Sequence, residues 1–410
     1  TKDYTYDRWV KYLPAFEPGN APADERIAFA PNGQIGYMSL LADNGGDPFA
    51  AGYAYYPVIY KTVDGGQTWS DPIAIVLSGP DGFDEVKYYL TDEQWDNLWV
   101  NPELVHRDSA LYTTAFTHDM VVDKNGDIHI AVTIGVSGGA DNPYSIIASG
   151  GYGATFHIYS VSQGACFAAQ FVTHNNTFRG EWGEIAEDSR SQASVTQDGG
   201  MVFLSWNDTD FEGVTDNVMP DIWCWGFDVT TRKYTDVENV TYLSEGWLEA
   251  YQGTASYYIF SDGDTYTIPF AYQSFTGGDP DQPVQYKYIQ DFTFTDADFT
   301  NGPHVPPTCG TPGDANGDGA VNVLDVVAII NHIMGLNPTP FIFENADVNG
   351  DGIINVLDAV ETVNIVLGGK GEPKGTYGSN IMKINDVTAE PGSNIIVEME
   401  IINEDQFVAW

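Results

Sequence analysis

Along residues 1–302, short apolar runs alternate with polar turns rich in Gly, Asn and Asp, the spacing of strands and tight turns. Pro31-Asn32-Gly33 precedes the run 35–41, and Lys124-Asn125-Gly126 precedes 128–134. Gln197-Asp198-Gly199-Gly200 precedes 201–206, and Ser261-Asp262-Gly263 precedes 265–272. Further strand-like runs follow at 58–61, 157–160, 222–229 and 284–294. A turn, a strand and another hairpin, repeated, predict the blades of a β-propeller. Four blades are clear, and the insert-rich stretch 79–116 leaves room for one more.

The pattern changes after Gly302-Pro303-His304-Val305-Pro306-Pro307-Thr308-Cys309-Gly310, whose prolines favour an extended linker. The apolar period then lengthens to that of a helix. Val323, Val327, Ile330 and Met334 fall at i, i+4, i+7 and i+11, and Val356, Val360, Val363 and Leu367 repeat the set. Gly335 and Gly368 end the two helices at matching points. The two stripes are expected to face each other and pack the helices antiparallel. Past a Gly/Lys/Pro stretch at 370–378, residues 381–387 and 391–403 read as two strands around Pro391-Gly392.

Each predicted helix is preceded by a loop of oxygen side chains. Asp314, Asn316, Asp318, Asn322 and Asp325 occupy positions 1, 3, 5, 9 and 12 of the first, with Gly319 at position 6. Asp347, Asn349, Asp351, Asn355 and Asp358 repeat this in the second, at an offset of 33 residues. Calcium is a hard cation that takes six to eight oxygens, and this spacing wraps one loop around it. The position-7 carbonyls of Ala320 and Ile353 complete the two predicted shells. Two loops in register, both ending Asn-Val-Leu-Asp, predict two calcium ions. A module of this size is too small to be secure without its metals.

A duplicated loop–helix with no entering helix and Asp at position 12 resembles a type I dockerin over 313–369. The resemblance implies structural calcium and docking onto a cohesin-like domain, in the same chain or another protein. It implies contacts from loop positions 10 and 11, here Val323-Leu324 and Val356-Leu357. The near-identity of the repeats permits docking in two orientations. In the first zone, Thr62-Val63-Asp64-Gly65-Gly66-Gln67-Thr68-Trp69 matches the Asp-box pattern of sialidase-like and other β-propellers. That motif is a folding device, an Asp-stapled turn with Trp packed on the blade. The tail resembles the opening strands of a cohesin-like β-sandwich.

The fold expected is therefore mainly β: a propeller at 1–302, a linker at 303–312, and a small α calcium module at 313–369. A second linker at 370–378 and an incomplete β segment at 379–410 follow. The chain starts at Thr1 without Met, which reads as a processed start, and 407–410 read as mid-strand, as in a piece of a longer protein.

Charge narrows the partners. With 16 Lys and Arg against 58 Asp and Glu, the net charge of −42 disfavours nucleic acid and anionic membranes. No stretch approaches the ~20 apolar residues of a membrane-spanning helix. Of three cysteines, Cys166 and Cys224 sit in aromatic runs as buried small hydrophobes, and Cys309 is left over.

Catalytic signals are sparse. Sialidases of this fold use an arginine cluster, and the chain has six arginines, with Arg26-Ile27-Ala28 the nearest approach to the family's Arg-Ile-Pro signature. The acidic pairs Glu184/Glu187 and Asp208/Asp210 are of the type used by glycosidases, but an acidic chain produces such pairs by chance. His118, His129 and His157 read as structural histidines, and Trp95, Trp223 and Trp225 as stacking platforms for sugars or as packing between blades. No catalytic residue is assigned. Three functions stay open: an extracellular or cell-surface protein for binding and assembly, with glycans as a further ligand; a propeller glycoside hydrolase; and a self-associating surface-layer or filament subunit.

Overall fold

A computed structural model describes residues 23–43, 53–79, 82–99, 105–139, 142–147, 152–177, 188–275, 283–305, 311–316, 318, 320–336, 338–349, 354–367, 381–384 and 399–402. The chain divides into two compact units, Thr1–Cys309 and Gly310–Trp410.

The first unit is a succession of up-and-down sheets. The first contains β1 (Glu25–Phe29), β2 (Gly36–Asp43), β3 (Tyr55–Thr62) and β4 (Ile73–Ala74), in that order. Two short helices, α1 (Asp84–Lys87) and α2 (Asp92–Leu98), then occupy the insert that left room for another blade. The second sheet has β5 (Tyr112–Val122), β6 (Ile128–Gly138), β7 (Asn142–Ile146), β8 (Gly153–Val161) and β9 (Cys166–His174), with β7 paired to β6. The third has β10 (Gln192–Thr196), β11 (Met201–Asp208), β12 (Asp221–Asp228) and β13 (Glu238–Asn239).

The fourth sheet is broken across its middle. Its strands are β14 (Tyr251–Ala255), β15 (Tyr258–Asp262), β16 (Thr265–Thr267), β17 (Phe270–Phe275), β18 (Val284–Ile289) and β19 (Thr293–Thr295). β14, β17 and β18 form one piece, and β15, β16 and β19 the other, which joins the third sheet through a parallel β10–β15 contact. The runs predicted as single strands at 265–272 and 284–294 are each split by this break, Pro269 supplying one gap because it has no N–H for the ladder.

Asn-Gly and Asp-Gly turns work as their chemistry demands. Gly33, Gly126, Gly199 and Gly263 all have positive φ, between 66° and 85°. At Thr62–Trp69 the Asp64 carboxylate accepts from the Thr62 hydroxyl (2.8 Å), the Thr68 N–H (2.9 Å) and the Thr68 hydroxyl (2.6 Å). Those bonds pull the exposed Asp64 carboxyl down to about 2. Trp69 packs edge-on against Phe29.

Strand parity builds the core. In β6, Ile128, Ile130, Val132, Ile134 and Val136 point to the first sheet, and Ala131 points to the third. In β11, Val202, Leu204 and Trp206 pack on the second sheet, and Met201 and Phe203 on the fourth. Sheets covered on both faces read as nearly unbroken apolar runs, which is what 128–136 and 201–206 are. The first strands also follow one another, β1 beside β5, β5 beside β10 and β10 beside β14, as blades do about an axis. Among the described residues no strand pairing closes the series into a ring.

Two expectations change here. Trp95 and Trp225 are buried (5% and 2% exposed), so neither is a platform for sugar, and half-buried Trp223 donates its indole N–H to the Asp208 carbonyl. Cys224 is a free buried thiol, as expected, but Cys166 is in a disulfide, not a buried hydrophobe. The one other cysteine of the chain is Cys309, outside the described residues. Non-reducing peptide mapping is expected to recover Cys166 in a disulfide-linked peptide; its recovery as a free thiol would contradict it.

In the second unit, α3 (Val323–Ile333) packs on α5 (Val356–Val366), with the short α4 (Phe343–Ala346) between them in the chain. The core is small: Ala315, Ala328, Ile329, Ala346 and Ala359, flanked by Phe341 and Ile354. Further along, β20 (Ile381–Ile384) pairs antiparallel with β21 (Met399–Ile402), as the two-strand reading of the tail expects. The Pro391-Gly392 turn between them lies outside the described residues.

Candidate functional site

Both helices of the second unit start from the same cap. Asn322 accepts from the Leu324 N–H and Asn355 from the Leu357 N–H, at 2.9 and 2.8 Å. The carboxylates at loop position 12 reach back to the cap: Asp325 accepts from the Asn322 N–H and Asp358 from the Asn355 N–H, both at 2.8 Å. Each also accepts a second loop N–H, from Asn316 (3.0 Å) and Asn349 (3.3 Å), so one side chain ties both ends of its loop.

The rest of the first loop turns inward through Asx bonds. Asp314 and Asn316 both accept from the Asp318 N–H, at 3.1 and 2.9 Å, and Asp318 accepts from the Ala320 N–H at 3.0 Å. Asn322 Nδ2 donates to the Ala320 carbonyl at 2.9 Å. In the second loop Asp347, Asn349, Asn355 and Asp358 are described, whereas Asp351 and Ile353 lie outside the described residues. Among the described residues no group of three or more His, Cys, Asp or Glu gathers as a metal cluster. Half of each predicted set is Asn side chain or main-chain carbonyl, which such a grouping does not include.

Burial supplies the test of fit. Asp325 and Asp358 are 0% exposed and Asp314 4%. The sequence from 311 to 367 contains no Lys or Arg. Buried carboxylates without a cation are among the costliest arrangements a fold can hold. The hard oxygen donors and the missing positive charge both suit a divalent cation such as calcium, which when bound neutralises the carboxylates and holds the loop closed.

The helix stripes are corrected. Val323, Val327, Ile330 and Met334 do not pack against their counterparts, being 42–63% exposed. Val356, Val360, Val363 and Leu367 are 37–77% exposed. The buried face is instead Asp325, Val326, Ala328 and Ile329 on α3, and Asp358, Ala359 and Thr362 on α5. Small residues at the crossing let the helices approach closely, so the core needs few large side chains. Leu324 and Leu357 stand out with the stripes, 59% and 60% exposed. The unit thus carries two similar apolar faces in water, one per repeat, the second bordered by the partly exposed Glu361 where the first has buried Ala328.

In the first unit the strand succession brings together a cluster that sequence patterning missed. His118 at β5 bonds through Nδ1 to Asp24 (3.2 Å) and through Nε2 to Ser39 on β2 (2.9 Å). Burial would raise the Asp24 carboxyl, but the His118 bonds and the His118 and Arg26 charges outweigh it and hold it low. The order Asp–His–Ser is that of a nucleophilic triad. His118 and Ser39 are both 0% exposed, so no substrate reaches them, and the group ties the first sheet to the second. Arg26 also approaches Asp119 (3.4 Å), whose carboxyl burial pushes up. No local motif marks this cluster, because its members meet only through sheet packing.

The proposed acidic pairs gain no site. Glu184 and Glu187 lie outside the described residues. Asp208 is buried and pushed up to about 7 by desolvation, against hydrogen bonds from Thr177 and Asn176, while Asp210 is exposed. A carboxyl so enclosed fastens loop 175–177 to β11.

His129 and His157, the other two read as structural, are interior, as expected. His129 Nδ1 and His157 Nε2 are 2.8 Å apart, with the rings stacked at 9°. Asp123 lies 3.5 Å from His129 Nε2, Gln170 bonds His157 Nδ1 (3.4 Å), and Tyr159 carries the stack to His304 (2.7 Å). Burial, then the His129 charge, lowers the His157 pKa well below the ordinary value of 6.5. The fold therefore holds His157 neutral while the unfolded chain takes up a proton. Its stability is full above about pH 6.5 and falls as pH drops toward the depressed folded value. A urea midpoint lower at pH 5 than at pH 7.5, with the difference reduced in His157→Gln, is expected; equal slopes in both proteins would contradict it.

Comparison with known proteins agrees with the second unit. The family described as "Dockerin type I domain" matches residues 312–367. No curated protein matches the chain. Among solved structures, an ulvan lyase of a new polysaccharide lyase family is 8% identical over 64% of this chain and 53% of its own, with a TM-score of 0.32. This chain spans about half the length of that lyase (53%). A NanB sialidase from Streptococcus pneumoniae is 11% identical over 68% of this chain and 63% of its own (TM-score 0.26). A leech intramolecular trans-sialidase is 9% identical over 70% and 63% (TM-score 0.24). No helix among the described residues is long and apolar enough to cross a membrane. Residues 312–367 thus match the type I dockerin family, in a chain whose larger unit is mainly β.

Proposed function

We propose that this is an extracellular modular protein whose second unit docks onto a cohesin-like partner through two calcium-held, apolar-faced repeats. The observation that carries the proposal is the combination of buried Asp325 and Asp358 with exposed Val323-Leu324 and Val356-Leu357. The carboxylates need a cation to be stable in the interior. The paired faces need a partner to leave water.

Asp314, Asn316, Asp318, Asn322, Asp325 and the Ala320 carbonyl hold the first calcium ion. Asp347, Asn349, Asp351, Asn355, Asp358 and the Ile353 carbonyl hold the second. The division of the chain is a propeller at 1–302 with an Asp-box at Thr62–Trp69, the calcium module at 313–369, and a cohesin-like segment at 379–410. The disulfide at Cys166 supports an oxidising, extracellular setting. In this reading the propeller is the cargo and the dockerin repeat its plug.

Immobilised type I cohesin domains are expected to retain the full chain in calcium and release it in EGTA. Equal retention in both, or none in calcium across a broad cohesin panel, would overturn the docking role.

A further inference from the structure

The first three sheets are covered on both faces, and the fourth is not. The far face of the first sheet is buried through Leu40, Ala42, Val58 and Tyr60. The inner face of the fourth packs Ile259, Tyr266, Phe270 and Phe294 on the third sheet. Its outer face is open: Tyr258 on β15 is 51% exposed, Phe260 67%, Tyr286 on β18 79% and Tyr288 63%. Tyr286 and Tyr288 alternate with Lys287, so they share one face, about 6.6 Å apart along the strand. Gln273, opposite Tyr286 on β17, donates to the Gln252 side chain at 2.9 Å and places an amide pair beside the rings.

Charge selects the occupant. In a chain of 58 acidic and 16 basic residues, the strands of this face direct outward no Lys or Arg and a single carboxylate, Asp262. A polyanion meets one guanidinium at the edge of this face, that of Arg190, already bonded to Thr254 on β14 (3.4 Å), and none beside the four rings; a second copy of the chain brings another net charge of −42. A neutral polymer pays neither penalty. Flat rings presenting an apolar face, with amides and hydroxyls between them, match the alternating C–H faces and hydroxyl edges of sugar rings.

We propose that the outer face of the fourth sheet binds a neutral polysaccharide, with Tyr258, Phe260, Tyr286 and Tyr288 stacking on sugar rings and the Gln252–Gln273 pair meeting hydroxyls. The buried tryptophans considered from the sequence play no part. This surface belongs to the first unit and goes beyond the docking role of the second.

The test uses the calcium-loaded full chain with insoluble cellulose, xylan and mannan as neutral probes and polygalacturonate as the anionic one. Retention on at least one neutral polymer is expected, weaker by at least tenfold in Tyr286→Ser/Tyr288→Ser at unchanged Tm. Phe260→Ser, on another strand, is an independent variant if the first fails to fold. Retention is also expected to persist in Asp325→Ala/Asp358→Ala, which separates this face from the docking module. No retention on any neutral polymer, equal retention of the variants, or preference for polygalacturonate would overturn it. A concentration-dependent dimer abolished by the same substitutions would assign the face to a second copy and overturn it as well.

Discussion

EGTA is expected to abolish the helical structure of the second unit while leaving the sheets of the first intact. The core of that unit is mostly alanine, with Ile329 its one large fully buried aliphatic side chain. So small a core leaves little stability beyond the entropy cost of ordering the chain. Calcium is expected to close the gap through mass action: at a thousandfold excess over Kd, one bound ion contributes about 4 kcal/mol. Two ions, as proposed, would contribute more than such a core supplies. Without them the carboxylates of Asp325 and Asp358 remain buried beside no cation, and unfolding into water relieves that cost. Far-UV circular dichroism is expected to lose most of its helical component in EGTA, all but the short α1 and α2 of the first unit, and to regain it in calcium. A thermal melt in calcium is expected to show a transition for the second unit that disappears on chelation.

Substituting one apolar face is expected to leave cohesin binding nearly intact, while substituting both abolishes it. Val323 and Leu324 on α3 and Val356 and Leu357 on α5 occupy equivalent positions and have nearly equal exposure. A partner shaped for one face is expected to fit the other after a half-turn of the module. Val323→Asp/Leu324→Asp therefore removes one of two equivalent modes, a factor of about two in affinity. Adding Val356→Asp/Leu357→Asp leaves no apolar anchor, and losing a central anchor costs about 2 kcal/mol or more, at least thirtyfold in Kd. Because these side chains are already in water, the Tm of the variants should match the parent. Loss of binding from one pair alone would show that a single face is used.

The duplication explains how much of the second unit was legible in the sequence. Loop spacing, helix starts and the paired structure all follow from local rules, and Asn322 and Asn355 cap their helices as Asn at that position should. The use of the apolar stripe did not follow. Val323, Val327, Ile330 and Met334 have the periodicity of a core stripe, and a docking face is built from the same residues at the same spacing. The inner side is recorded by Val326, Ala328 and Ile329 on α3 but only by Ala359 and Thr362 on α5, a hydropathy signal weaker than that of the exposed stripe.

In the first unit, strands and turns were legible because glycine turns and β-branched runs act locally. The split of 265–272 and 284–294 was not, since it depends on how β15 meets β10. The Asp24–His118–Ser39 cluster joins residues up to 94 positions apart, and no window along the chain contains it. Exposed tyrosines on β18 were visible only as one more alternating strand. Their meaning comes from the absence of a described sheet beyond them.

Native mass spectrometry of calcium-loaded protein tests the paired loops of the second unit most directly. Two calcium ions are expected on the full chain, one on Asp325→Ala, one on Asp358→Ala, and none on the double variant. A chain that carries no calcium, or a double variant that keeps both ions, would contradict the assignment of the paired loops.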